Sequence, residues 1–82
     1  MQLCRVVGST VSTVKAPGLA EYKLLNVTAA NGEGPEFVAV DAVGAGVGDL
    51  VLICTGSAVR ELDGLQGVAA DAAIVAIVDP GS

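Results

Sequence analysis

Apolar residues fall in five short blocks, separated by glycine, proline and charged residues. Gln2 to Thr13 holds the β-branched Val6, Val7, Thr10, Val11 and Thr13 and is predicted as the first strand. Gly8 within it marks a bulge or sharp bend. Lys15-Ala16-Pro17-Gly18 reads as a turn. Tyr22 to Thr28 is the second strand, with Leu25 and Val27 on one face and Asn26 and Thr28 on the other. Ala29 to Pro35 is a hydrophilic loop whose Asn31-Gly32 marks a hairpin. Glu36 to Asp41 is the third strand, Leu50 to Thr55 the fourth and Ala72 to Val78 the fifth. Leu65 to Asp71 is the loop before the last of these.

The stretch from Val38 to Arg60 organises the chain. Gly44, Gly46 and Gly48 alternate with Ala45 and Val47 between two strands, as a hinge requires. After the fourth strand Gly56-Ser57 breaks the extended run. Ser57 stands as the N-cap of a short helix from Ser57 to Leu62 that Gly64 stops. Five short strands, glycine bends and one small helix predict a small closed or half-closed barrel. The fourth and fifth strands are apolar on both faces. A barrel has one interior, so their outer faces need cover, which a neighbouring subunit would supply.

Composition sharpens this picture. The chain has 82 residues, one small domain over 1–82, and such domains are usually marginal alone. Yet 52% is hydrophobic, chiefly Val, Ala, Leu and Ile, and the mean hydropathy is +0.70. The longest charge-free run is the ten residues from Leu50 to Val59, short of the ~20 that a spanning helix needs. No signal peptide is read at Met1-Gln2-Leu3-Cys4-Arg5, so a cytoplasmic location is expected. No membrane partner is expected either, and self-association is the remaining way to hide the apolar surface.

The net charge of −5 and the scattered Arg5, Lys15, Lys23 and Arg60 argue against nucleic acid. Cys4 and Cys54 lie 50 positions apart in a chain without histidine, which excludes the usual zinc spacings. Both sit in apolar runs and read as buried reduced thiols, with a disulfide as the other reading. Gly44-Ala45-Gly46-Val47-Gly48-Asp49 has Asp49 where a dinucleotide fingerprint needs glycine, and a strand follows it rather than a helix. Ser57 lacks a histidine base, and the aspartates stand at element ends, where they cap and turn. No cofactor, metal or catalytic residue is expected, and the chain is not read as an enzyme.

Val40-Asp41-Ala42-Val43-Gly44-Ala45-Gly46 and Gly56-Ser57-Ala58-Val59-Arg60 resemble the signature of the vertex proteins of bacterial microcompartments, the pentameric shell proteins of CcmL/EutN type. Leu3 to Lys15, Tyr22 to Leu25 and Asp71 to Asp79 extend the likeness over nearly the whole chain. The resemblance implies a five-stranded barrel of the oligonucleotide-binding type with one short helix. It implies a structural role in the shell of a carboxysome-like or ethanolamine- or propanediol-type compartment. There a pentamer caps each vertex, and hexameric shell proteins tile the facets. Carried over to this chain, Gly44, Ala45 and Gly46 would form a tight subunit contact, and Arg60 would pair across the interface. Gly56, Ser57 and Ala58 would line a narrow pore on the fivefold axis, and Asp71 would start the last strand. The chain departs from the family pattern at Val59, where many relatives carry alanine, and little follows Asp79, where some relatives have a longer tail.

Two other readings predict different behaviour. A small β-barrel binding module for a ligand or peptide would be a monomer with an exposed groove. A small enzyme with a shared active site would lose activity on changes at Ser57 or Asp41.

Overall fold

The computed structural model describes the backbone of residues 1–10, 22–61 and 71–79, and the side chains of all of these except 10, 58, 60 and 61. Five strands form a closed barrel: β1 (Gln2–Thr10), β2 (Lys23–Ala29), β3 (Phe37–Asp41), β4 (Leu50–Thr55) and β5 (Ala72–Val78). They are ordered β1-β2-β3-β5-β4, and β4 pairs back onto β1. All neighbours are antiparallel except β3 and β5, which run parallel over Val40↔Ala73 and Asp41↔Ile74. This is the strand order of a small Greek-key barrel of the oligonucleotide-binding type.

Alternation places Cys4, Val6, Leu25, Val27, Ala39, Val51, Ile53, Ala72 and Ile74 inside, with Phe37 packed against them. Leu25 and Val27 are buried and Asn26 and Thr28 only half-buried, as the two-faced pattern of that strand requires. The interior is filled by branched aliphatic side chains and small residues, whose size suits the narrow interior of a five-stranded barrel.

Two irregularities bend the sheet. Val6 pairs with Val27 and Gly8 with Asn26, so Val7 is the extra residue of a bulge. The glycine marks the place, but a Cβ at Gly8 would meet Asn26 only at ordinary contact distance, 3.7 Å. A second shift leaves Val75 unpaired between Leu52↔Ala76 and Ile53↔Ile74. Nothing in the sequence marks it, because Ile74-Val75-Ala76 is apolar throughout.

The β2–β3 connection is a hairpin loop. Gly32 N–H donates to the Ala29 carbonyl at 2.8 Å, and Glu33 N–H donates to Asn31 Oδ1 at 2.9 Å. Gly32 takes a φ of 78°, the left-handed region that glycine enters freely.

The helical segment differs from its expected form. It is a 3-10 helix over Gly56–Glu61, so Ser57 lies inside it rather than in front of it as an N-cap. Gly56 makes the turn off β4 at a φ of 78°, and its N–H donates to the Asp71 carbonyl at 2.8 Å. Asp71 therefore stands just before β5 and does not begin it. The Pro17-Gly18 turn, the end of the first strand at Val11–Thr13, the stop at Gly64 and the loop from Leu65 to Ala70 lie outside the described residues.

The need for cover on the outer faces of β4 and β5 is met in part by the chain itself. Val59 of the 3-10 helix is fully buried on the outside of the barrel, against Val40, Cys54 and Ala73, flanked by Tyr22, Leu24 and Val75. Beyond Val59 the outer face of β1, β4 and β5 is only partly covered. Register pairing sets Leu3 beside Leu52 and Leu52 beside Ala76 in one outward row. Arg5, Leu50 and Val78 form the next row. Leu3 and Arg5 are exposed, and the other four are half-buried.

Candidate functional site: the glycine-rich loop and the outer barrel face

The loop from Ala42 to Asp49 joins β3 to β4 and contains Gly44, Gly46 and Gly48. Its order comes from hydrogen bonds, not from helix or sheet. Asp41 ends β3, and its side chain is 2% exposed. Asp41 Oδ1 accepts the N–H groups of Val43, Gly44 and Ala45, each at 3.1 Å. A short acidic side chain at a strand end reaches the next few amides in this way, which is why aspartate is common there.

Lys23 completes the clamp from β2. It pairs directly across from Asp41 in the sheet register. Its Nζ lies 3.5 Å from Asp41 Oδ2 and donates to the Ala45 carbonyl at 2.7 Å. Ala45 is thus held at both its N–H and its carbonyl, and its methyl is buried in the barrel core.

Asp49 governs the second half of the loop. Asp49 N–H donates to the Gly46 carbonyl at 3.0 Å, and Gly46 N–H donates to Asp49 Oδ2 at 2.8 Å. Gly48, third in this four-residue turn, has a φ of 95°, the positive value a type II turn demands. Strand β1 ties the turn down: Gly48 N–H donates to the Val6 carbonyl at 2.8 Å, and Val6 N–H donates to the Asp49 carbonyl at 3.0 Å. Arg5 is exposed, and its Nη1 donates to the Gly48 carbonyl at 3.0 Å.

Of the residues that sequence reading assigned to a subunit contact, the structure sets Gly44 on the surface, Gly46 half-buried and Ala45 in the core. Gly44 needs its glycine for a φ of 87°. Gly46 has no positive φ, and a Cβ there would meet nothing within 4 Å among the described residues. Gly56 and Ser57, assigned to a pore, are exposed at the start of the 3-10 helix, on the far side of β4 from the glycine-rich loop. The side chains of Ala58 and Arg60 lie outside the described residues. Sequence reading missed Lys23, Asp49 and Arg5 as the ties of the loop. An aspartate at each end of the glycine run was the available signal.

The chemistry open to this arrangement is narrow. Asp41 has both oxygens engaged within the chain and is sealed from solvent, so it is not placed to act as a base. Among the described residues, no three His, Cys, Asp or Glu side chains come together as a metal would need. Cys4 and Cys54 are both free and buried, one inside the barrel and the other beneath Val59. Burial pushes the Cys4 thiol above its ordinary value of 9.0.

Comparison with known proteins identifies the lineage. The family described as ethanolamine utilisation protein EutN/carboxysome matches residues 1–79. The chain belongs to this family. The bacterial microcompartment shell vertex protein PduN of Salmonella typhimurium is 48% identical over 96% of this chain and 96% of its own length. The structure of CcmL from Nostoc sp. superposes with a TM-score of 0.86 at 44% identity, covering 96% of this chain and 89% of that one. The GrpN pentameric microcompartment shell protein from Rhodospirillum rubrum superposes with a TM-score of 0.84 at 40% identity, covering 96% and 94%. Members of this family are structural components of microcompartment shells, not enzymes. Among the described residues no helix is long and apolar enough to cross a membrane.

Proposed function

We propose that this chain, as a single domain over 1–82, assembles into a homopentamer that caps the vertices of a bacterial microcompartment and lets its shell close. The observation that carries the reading is the partly exposed apolar face of β1, β4 and β5. The rows Leu3–Leu52–Ala76 and Arg5–Leu50–Val78 set five apolar side chains side by side on the outside of an 82-residue barrel. An apolar patch of this kind on a small soluble protein marks an interaction surface. The pentameric state of the GrpN relative supports a second copy of this chain as the occupant.

The rigid loop fits the same assembly. Gly44 and Gly46 would receive the neighbouring subunit, with Ala45 anchoring the segment from inside. Gly46 is glycine without a positive φ or crowding from the described residues, so the demand for a missing side chain is met best by close approach of another subunit. Gly56, Ser57 and Ala58 would line the pore at the fivefold axis, and Arg60 would pair between subunits. Hexameric shell proteins are the partners at the rim. A flat hexagonal layer cannot close, and a fivefold unit removes one sixth of the hexagonal lattice at each vertex and so introduces curvature.

Co-production with a hexameric shell protein tests the role. Closed polyhedral particles that contain this chain at their corners are the expected result. Particles that close equally well without it, or that exclude it, would remove the vertex assignment.

A further inference from the structure

We infer that Asp41 is a positioning residue for subunit assembly: it touches no partner, yet it sets the shape in which the glycine-rich loop meets one. The inference rests on the assembly reading above and deepens it. Three facts carry it. The Asp41 side chain is only 2% exposed, so it cannot itself form a subunit contact. Its Oδ1 gathers three successive N–H groups, those of Val43, Gly44 and Ala45, and Gly44 is exposed at the surface of the loop. Its Oδ2 faces Lys23, whose Nζ holds the carbonyl of Ala45, the residue directly before Gly46.

The physical consequence is preorganisation. A glycine-rich segment has many accessible conformers, and binding through it would ordinarily cost the entropy of choosing one. Here the folded monomer has already made the choice. The N–H groups of Val43, Gly44, Ala45, Gly46, Gly48 and Asp49 all have acceptors within the chain. Glycines 44 and 46 can therefore present bare backbone to a neighbour without the disorder that glycine normally brings. Convergent amides on a charged acceptor give stronger bonds than amides on a neutral one, so the carboxylate cannot be replaced by its amide without cost. In Asp41→Asn the amide nitrogen would also stand where Oδ2 faces the Lys23 ammonium, donor against donor.

The test compares wild type, Asp41→Asn and Asp41→Asn with Lys23→Met. Subunit association is measured by sedimentation over a dilution series, and amide exchange is read at Val43–Ala45 and at the core positions Val51 and Ile53. Asp41→Asn is expected to weaken association about tenfold or more, the order set when bonds to a charged acceptor become bonds to a neutral one. Loop amides should exchange faster while Val51 and Ile53 stay protected. Removing Lys23 as well lifts the donor clash but also releases the Ala45 carbonyl, so the double variant is expected to stay weaker in association than wild type. A merely structural role would instead lower core protection and association together, and that outcome overturns the inference. So does an Asp41→Asn protein that assembles as tightly as wild type. If wild type itself fails to associate, the assembly reading falls and takes this inference with it.

Discussion

Val59→Ala probes how the 3-10 helix is held to the barrel. Val59 is its fully buried anchor, packed against Val40, Cys54 and Ala73. Losing two carbons removes about 1.6 kcal/mol of transfer free energy at roughly 0.8 kcal/mol per carbon. The cavity left behind raises the cost to about 2 kcal/mol or slightly more. The two cysteines report separate openings. Cys54 is 8% exposed beneath Val59, whereas Cys4 is 0% exposed inside the barrel. Lifting the helix uncovers Cys54 alone, and only unfolding of the barrel uncovers Cys4. When reclosing outruns labelling, the rate of thiol modification follows the opening equilibrium. A loss of about 2 kcal/mol then speeds labelling of Cys54 about 30-fold. Ile53→Val provides the contrast, since Ile53 faces the interior and keeps its contacts when the helix lifts. It should cost about 1 kcal/mol and speed Cys4 about fivefold while leaving Cys54 at its wild-type rate. Equal acceleration of both cysteines by Ile53→Val would refute the separate opening. An unchanged Cys54 rate in Val59→Ala would refute Val59 as the seal.

The two loop glycines should part company. Gly44→Ala forces a side chain into a φ of 87° and should destabilise the chain by about 1 kcal/mol or more, seen as a lower denaturation midpoint. Gly46→Ala carries no such strain; the monomer should be as stable or slightly more so, while sedimentation shows weaker subunit association. Asp49→Ala removes the acceptor for Gly46 N–H and should cost about 1 kcal/mol, a fall of about 4–8 °C in the melting temperature for a domain of this size. The Cys4 thiol is held above its ordinary value by burial, so the folded state binds its proton more tightly than the unfolded chain. That contribution is intact below the ordinary thiol value of 9.0 and is lost as pH rises through the folded value. Melting temperature should therefore decline above pH 9.0, and Cys4→Ala should flatten the decline.

The strands were legible because three of them alternate or run apolar between strong breakers. The fourth and fifth begin and end where the pattern places them, at Leu50–Thr55 and Ala72–Val78. The bulge near Gly8 was legible because glycine marked it. The bulge at Val75 was not, because a segment apolar on both faces has no parity to slip. The helix proved tighter than an α-helix and begins at Gly56, since a positive φ turns the chain there before Ser57 can cap anything. The outer faces of β4 and β5 looked in need of a neighbour throughout. The chain covers the Cys54 end itself with Val59, a contact that depends on how a short loop folds back and has no periodic trace. The loop's ties were partly legible. Asp41 could be read as a strand-end cap, but Lys23 meets it only through the β2–β3 register, which no local pattern gives.

The central claim is fivefold assembly through the partly exposed barrel face and the loop beside it. Native mass spectrometry of the intact protein measures the subunit count directly. A five-subunit species that Leu52→Glu reduces to folded monomer is the predicted result. A stable monomer in the wild-type protein, or a five-subunit species unaffected by Leu52→Glu, would contradict it.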